Sequence, residues 1–154
     1  MALAVRGYPR FTLDLDLFTV DKRVLNEAMW RELSAAGIPV DVRPGDYDDP
    51  LGGVVRIGAK PEAIDIVVGR RKWEQRVIDR AELLEVGEVT LPVPTTSDLI
   101  LLKIAAGGPI DQQDVIQLLA VGPRDQLIAE VESKIADLPS DAQQLWQQLM
   151  ASTS

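Results

Sequence analysis

The chain has 154 residues, of which 46% are hydrophobic and 26% charged, and its 24 acidic and 16 basic residues give a formal net charge of −8. It contains neither cysteine nor histidine, which excludes disulfides, thiolate sites, the Ser-His-Asp triad and most zinc sites. Any catalysis must therefore use carboxylates, amines, hydroxyls, backbone groups and a hard cation that prefers oxygen ligands.

The length fits one ordinary domain, and the acidity argues against broad electrostatic capture of nucleic acid or of an anionic membrane. No apolar run approaches the ~20 residues of a membrane span, and the N-terminus lacks the basic-then-apolar order of a signal peptide. We therefore expect a cytoplasmic protein with no membrane partner.

The first half of the chain alternates short strands with helical segments. Strict alternation of leucine with polar residues predicts a strand over 11–18. A helix is predicted over 22–36, with Asp21 as its cap and Gly37 as its end. Strand-like runs follow over 38–42, 54–57 and 63–68, then a helix over 73–84 and a strand over 88–93.

The second half of the chain is predicted to be helical. Ser97 can cap a helix over 98–106 that ends at the Gly107-Gly108-Pro109 sequence, and further helices are predicted over 111–120, 123–137 and 140–150. The fold class is α+β, with residues 1–94 as the α+β core and residues 95–154 as a helical C-terminal part packed on it in a single compact unit.

Asp14 and Asp16 are the most informative pair of residues. Residues two apart on a strand point to the same side, so their carboxylates can converge on a hard cation. Two acids on one strand face repel each other unless a positive charge lies between them, and Mg²⁺ supplies that charge. The alternative is a half-exposed edge strand whose acids are solvated.

Asp65 is an acid within an otherwise apolar strand, where a buried carboxylate is costly unless it is paired or bound to a metal. Asp41, in a neighbouring run, is a rival. We prefer Asp65 as a third ligand because its flanking residues are more apolar. Just before the acid pair, Arg10 can reach a phosphate or merely neutralise the acids, and Thr12 shares their strand face.

Residues 69–73 form the one dense basic cluster, which either binds a phosphate and stacks a base on Trp73 or is a solvated helix start with a core tryptophan. Lys103 lies among apolar residues and either extends to solvent or meets a carboxylate or a phosphate. Asp98 can be a first-turn acid of its helix, and Asp111 can be a cap. Asp114 is the better candidate for an ordering contact to Lys103 or Arg10.

These residues, in this order, resemble the nucleotidyltransferase fold, specifically the AbiEii-like toxin-type nucleotidyltransferases, over about residues 2–119. The run from Arg10 to Asp16 (RFTLDLD) is similar to the family's metal-binding Asp-x-Asp strand. Residues 98–114 are similar to its later Asp-x-x-x-x-Lys and Asp-x-x-Asp motifs. The resemblance implies a mixed β-sheet flanked by helices, with a helical C-terminal tail.

The resemblance also implies a site. It places Mg²⁺ on Asp14 and Asp16 with Asp65 as the third carboxylate, and gives Lys103 and Asp114 phosphate-binding or structural roles. The implied activity is transfer of a nucleoside monophosphate from an NTP to an RNA, such as tRNA, or to a protein acceptor. The implied context is the toxin of a toxin–antitoxin module, with an antitoxin as partner.

One family feature has no counterpart in the sequence. The family's strand ending in Gly-Gly or Gly-Ser, which cradles the triphosphate, would precede Ala2, and Gly52-Gly53 cannot replace it because it follows the acid strand. We therefore expect either a start codon upstream of Met1 or a catalytically impaired, nucleotidyltransferase-like binding module. Without that strand the sheet edge would be open, and a homodimer or a tail could cover it.

Overall fold

The structure is a computed structural model, and it describes Arg6, residues 15–86 and residues 88–152. These residues form two sheets and six α-helices, together with three short 3₁₀ segments, so the predicted α+β class is confirmed. The strands are β1 (Leu15–Thr19), β2 (Val40–Pro44), β3 (Gly53–Ile57), β4 (Ile64–Val68), β5 (Glu82–Val86) and β6 (Val89–Val93). The helices are α1 (Arg31–Ala35), α2 (Lys72–Asp79), α3 (Thr96–Ala106), α4 (Pro109–Val121), α5 (Arg124–Glu132) and α6 (Ser140–Ser152).

Backbone contacts divide the described residues into two compact units. The sheet unit comprises residues 15–78, and the helical unit comprises Arg6 with residues 79–86 and 88–152. The β5–β6 hairpin is therefore grouped with the helices, whereas we expected it among the first 94 residues.

The sheet unit is built on a mixed four-stranded sheet with the order β1-β4-β3-β2. Strand β1 runs parallel to β4, and the pairs β3–β4 and β2–β3 are antiparallel. Because side chains alternate between the two faces of a strand, this register sorts all four strands into one apolar face and one charged face.

The apolar face of this sheet packs against the segment that follows β1. One cluster of buried residues here is formed by Val24, Val55, Ile66 and Val68, and partly buried apolar residues surround it, including Leu25 and Trp30. The Trp30 indole N–H donates to the Val24 carbonyl oxygen at 2.7 Å, which ties two parts of this segment together.

The helix predicted over 22–36 is interrupted. Two 3₁₀ turns, Lys22–Leu25 and Glu27–Trp30, precede the short helix α1. Asn26 is extended (φ −90°, ψ 113°), and its side chain accepts from the Ala28 N–H, so it competes with the helical hydrogen bonds. Asp21 is the predicted cap, accepting from the Arg23 N–H.

The helix predicted over 73–84 is also wrong at its C-terminal end. Helix α2 ends at Asp79, and Glu82–Val86 forms β5 instead. Antiparallel pairing of β5 with β6 supplies the backbone hydrogen bonds of residues 82–86, so a partner distant in sequence decides their conformation. Local helical periodicity does not report such pairing.

The helical unit follows the predicted order with shifted ends. Thr95, and not Ser97, caps α3, since its hydroxyl oxygen accepts from the Asp98 N–H at 3.2 Å. Gly107 ends α3 in the left-handed conformation (φ 69°), as predicted. The segment predicted as one helix over 123–137 is α5 followed by the 3₁₀ turn Ile135–Asp137. Within the described part of the chain, no helix is long and apolar enough to cross a bilayer.

Glu74 caps the N-terminus of α2. Its buried carboxylate accepts from the backbone N–H groups of Arg70 (2.7 Å) and Arg71 (2.6 Å). We expect Glu74→Ala to lower the free energy of unfolding by about 1–2 kcal/mol in urea denaturation, the usual effect of losing a cap. Glu74→Gln keeps one acceptor oxygen and should lose less; equal losses for the two variants would contradict the capping role.

Candidate functional site

The charged face of the sheet carries one row of ionisable side chains across all four strands. Asp16 of β1 is opposite Asp65 of β4, Asp65 is opposite Arg56 of β3, and Arg56 is opposite Asp41 of β2. Opposing residues project from the same face of a sheet. The row therefore has the charge order negative, negative, positive, negative.

A half-open cavity of about 450 Å³ lies over this row. All four residues of the row line it, together with Arg43. The other lining residues come from β2, β3, β4 and the loop between β2 and β3: Pro44, Asp49, Leu51, Gly53, Val54 and Val67. The cavity is large enough for a small anionic ligand and contains charges of both signs.

The loop at the cavity rim is ordered by its own hydrogen bonds. The Asp46 carboxylate accepts from the backbone N–H groups of Asp48 and Asp49, and the Asp49 carboxylate accepts from the Leu51 N–H. The Arg70 guanidinium donates to the carbonyl oxygens of Asp46 (2.9 Å) and Asp49 (2.7 Å). The rim is therefore held in place without a ligand.

The central interaction of the site is the ion pair between Arg56 and Asp65. Arg56 Nε donates to Asp65 Oδ1 at 2.7 Å, and Arg56 Nη2 donates to Asp65 Oδ2 at 2.6 Å. These hydrogen bonds hold the pKa of Asp65 below its ordinary value, although burial acts in the opposite direction. Asp65 is therefore a carboxylate at neutral pH.

Asp16 and Asp65 together suit a hard divalent cation. They are neighbours in register on adjacent parallel strands, whose backbones are roughly 5 Å apart. This arrangement fits Mg²⁺, because proteins commonly hold that ion with one or two carboxylates and substrate phosphates. Among the described residues, no group of three or more acidic side chains is close enough to hold a metal. A site formed by these residues would therefore rest on two carboxylates and on oxygen atoms of the substrate.

Asp14, Arg10 and Thr12 lie outside the described residues, so the geometry of the acid pair and its neighbours stays a prediction. Asp41, the rival of Asp65, lies at the far end of the row, three strands from Asp16. Of the two candidates for the third carboxylate, Asp65 is therefore the neighbour of Asp16.

Sequence reasoning did not identify Arg56. A signal was present, because Arg56 interrupts the apolar run of β3 in the same way that Asp65 interrupts β4. Period-two alternation could have assigned it to a polar strand face, but only the antiparallel register places it opposite Asp65.

The basic cluster does not offer a base-stacking surface. Trp73 is only 6% exposed and belongs to the core. The backbone N–H groups of Arg70 and Arg71 are bonded to Glu74, so they are not free to bind a phosphate. The cluster is the start of a helix with a core tryptophan, which was the alternative interpretation of this sequence.

Lys103 and Asp114 belong to the helical unit and bond to each other there. Lys103 Nζ lies 2.9 Å from Asp114 Oδ2 and 2.8 Å from Asp111 Oδ1, so the predicted contact between Lys103 and Asp114 is present. Burial lowers the pKa of Lys103, but the hydrogen bonds to Asp111 and Asp114 and the negative charges of these two carboxylates together raise the pKa above its ordinary value. A phosphate-binding role for these residues stays a prediction.

We expect Lys103→Met to lower the free energy of unfolding by about 3 kcal/mol, because the buried Asp114 carboxylate would lose its ion pair. Urea denaturation measures this loss. The double variant Lys103→Met/Asp114→Asn should recover part of it, and a double variant whose loss is the sum of the two single losses would argue against the pair.

Asp98 has a different environment from the one expected for a first-turn acid of its helix. It is 0% exposed and is bonded to Arg80 (2.6 Å) and to the Thr95 hydroxyl (2.8 Å), with Lys134 at 3.5 Å. It links Arg80, which precedes the β5–β6 hairpin, to α3 and to Lys134, which follows α5. Its role in the structure is therefore larger than that of a first-turn acid.

No family model matches the chain, and no curated protein matches it either. The resemblance to AbiEii-like nucleotidyltransferases therefore stays a prediction based on the two motifs.

Proposed function

We propose that this protein is a Mg²⁺-dependent nucleotidyltransferase that transfers a nucleoside monophosphate from an NTP to an RNA or protein acceptor, as the toxin of a two-gene module. The observation that supports this proposal is the pairing of Asp16 with Asp65 on adjacent parallel strands beneath a charged cavity. Phosphoryl transfer requires mainly positioning and charge neutralisation, so the absence of histidine does not weaken the proposal.

In this mechanism Asp16 and Asp65, with Asp14, would hold the metal. Bound Mg²⁺ would supply charge stabilisation for the phosphate oxygens. The acceptor oxygen forms a bond to the α-phosphorus as the bond to the pyrophosphate oxygen breaks, and the acceptor proton passes to a carboxylate such as Asp65 or to water. Arg56, which lines the same cavity, attracts the phosphate chain.

A second candidate is a catalytically impaired module that binds a partner. The observation that favours it is that Arg56 occupies both carboxylate oxygens of Asp65. An internal cation already neutralises this acid, and a protein that had lost nucleotide binding could keep such a pair for stability alone.

Label transfer separates the two candidates. The protein is incubated with each NTP labelled at the α-phosphate, with Mg²⁺ and with bulk RNA that includes tRNA, and both the RNA and the protein are examined for label. We expect incorporation that EDTA abolishes. A γ-phosphate label should give none, because pyrophosphate is the leaving group. If no NTP transfers label to RNA or protein, the enzyme proposal is wrong, whether or not calorimetry detects NTP binding.

A further inference from the structure

Arg56 lies between Asp65 and Asp41 in the charged row. Its guanidinium binds both oxygens of Asp65 in a fork, at 2.6 and 2.7 Å, the geometry of a strong charge-assisted pair. Asp65 is in turn the neighbour of Asp16. A permanent positive charge therefore lies beside the carboxylate on which the proposed metal site depends.

That arrangement opposes binding of a cation alone. A divalent ion at Asp16 and Asp65 would approach the guanidinium and compete with it for the same carboxylate oxygens, and like charges repel. While Arg56 remains in place, we expect the free cation to bind weakly.

A phosphate chain changes this competition. A guanidinium binds phosphate through the same two-pronged geometry that it uses for a carboxylate. The Arg56 side chain is 35% exposed, whereas that of Asp65 is 18% exposed, and the cavity above them has room for a ligand. Arg56 can therefore turn toward an incoming phosphate while Asp65 stays in the sheet.

We propose that Arg56 neutralises Asp65 in the resting protein and moves to the phosphate chain when a metal-bound polyphosphate enters the cavity. Divalent cation and polyphosphate then bind cooperatively, and Arg56 is the positioning residue that couples them. This inference rests on the proposed function, and it identifies Arg56 as the residue of the sheet that binds the phosphate chain. Because binding coupling is reciprocal, the polyphosphate must strengthen cation binding by the same factor as the cation strengthens polyphosphate binding.

The test measures two affinities for the same variants. Binding of Mn²⁺ alone is followed by the electron paramagnetic resonance signal of the free ion. Binding of a preformed complex of Mn²⁺ with inorganic triphosphate is followed by calorimetry, which requires no knowledge of the base. For Arg56→Gln we expect the affinity for Mn²⁺ alone to rise by about tenfold and the affinity for the complex to fall by about tenfold, an ordinary size for coupling.

Arg43→Gln is the matched control. Arg43 lines the same cavity and carries the same charge, but it pairs with Asp41 at the far end of the row. A general loss of positive charge would change Mn²⁺ affinity similarly in both variants, whereas release of Asp65 raises it only in Arg56→Gln. Arg56→Lys keeps the charge without the fork and should lie between wild type and Arg56→Gln. Circular dichroism verifies that each variant is folded.

The outcomes separate this inference from the proposed function. If the wild-type protein binds neither Mn²⁺ nor the complex, both are wrong. If it binds them and Arg56→Gln shifts the two affinities in the same direction, or no further than Arg43→Gln does, the inference alone is wrong. Opposite shifts without any label transfer would support the inference and overturn the enzyme proposal.

Discussion

Asp16→Asn is expected to remove almost all nucleotidyl transfer while leaving the fold intact. The carboxylate would no longer hold the metal, and metal stabilisation of phosphate charge contributes several kcal/mol, which corresponds to a rate loss of roughly 10²- to 10³-fold. Asp16 is exposed and faces another carboxylate across β1 and β4. The substitution keeps the size of the side chain at an exposed strand position, so the free energy of unfolding should change by no more than about 1 kcal/mol, the usual size of an exposed ionic contact. Label transfer and urea denaturation of the same preparation measure both effects.

Asp41→Asn is the control for this prediction. It removes the same charge from the same sheet face and the same cavity, but three strands away from Asp16. It should lose far less activity than Asp16→Asn and should keep Mn²⁺ binding, which Asp16→Asn weakens. Equal losses of activity in the two variants would mean that the cavity needs only negative charge and not a carboxylate at position 16.

A large loss of stability is expected for Asp98→Asn. Asp98 is fully buried and bonded to Arg80 and Thr95, with Lys134 nearby. Removal of its charge leaves two cations facing each other without their shared carboxylate, and breaking such a buried pair costs about 3 kcal/mol. The midpoint of urea unfolding should fall while the slope of the transition stays constant.

Asp125→Asn is the matched control, since Asp125 is an exposed acid in the first turn of α5. It should change the free energy of unfolding by no more than about 0.5 kcal/mol. If Asp125→Asn lowered the free energy of unfolding as much as Asp98→Asn does, the effect would come from charge at a helix end and not from the buried network.

The contribution of Asp98 should also depend on pH. Burial raises the pKa of Asp98, but hydrogen bonds from Arg80 and Thr95 and the charge of Lys134 outweigh burial, so its pKa lies below the ordinary value. A depressed pKa stabilises the folded state above the unfolded value of about 3.9, and this stability is lost as pH falls through the folded pKa. The stability difference between wild type and Asp98→Asn should therefore be constant from about pH 7 to pH 5 and shrink below pH 4.

Local chemistry predicted the elements that have strong periodicity or clear end signals. Alternation of apolar and polar residues indicated the described part of β1, a short apolar run indicated β4, and the glycine after residue 106 indicated the end of α3. The contact between Lys103 and Asp114 could also be predicted from the sequence. Helix α4 follows α3 after a short glycine turn, so these two polar residues are close in sequence.

The errors arose where a distant partner overrides a local preference. Residues 82–86 pair with β6 instead of continuing α2, and the segment after β1 packs on the sheet as 3₁₀ turns instead of one helix. In both places helical periodicity was present, but another partner took up the backbone hydrogen bonds. That partner is strand β6 for residues 82–86 and the side chain of Asn26 in the segment after β1.

The sequence by itself determined the α+β class, the chemistry open to a chain without cysteine or histidine, and the choice of Asp16 and Asp65 as candidate metal ligands. Only the tertiary structure decided that these two acids are neighbours and that Arg56 pairs with Asp65. The physical reason is register: a shift of one residue in any strand pairing would move a side chain to the opposite face. That shift is excluded by the burial of Val55, Ile66 and Val68 on the other face.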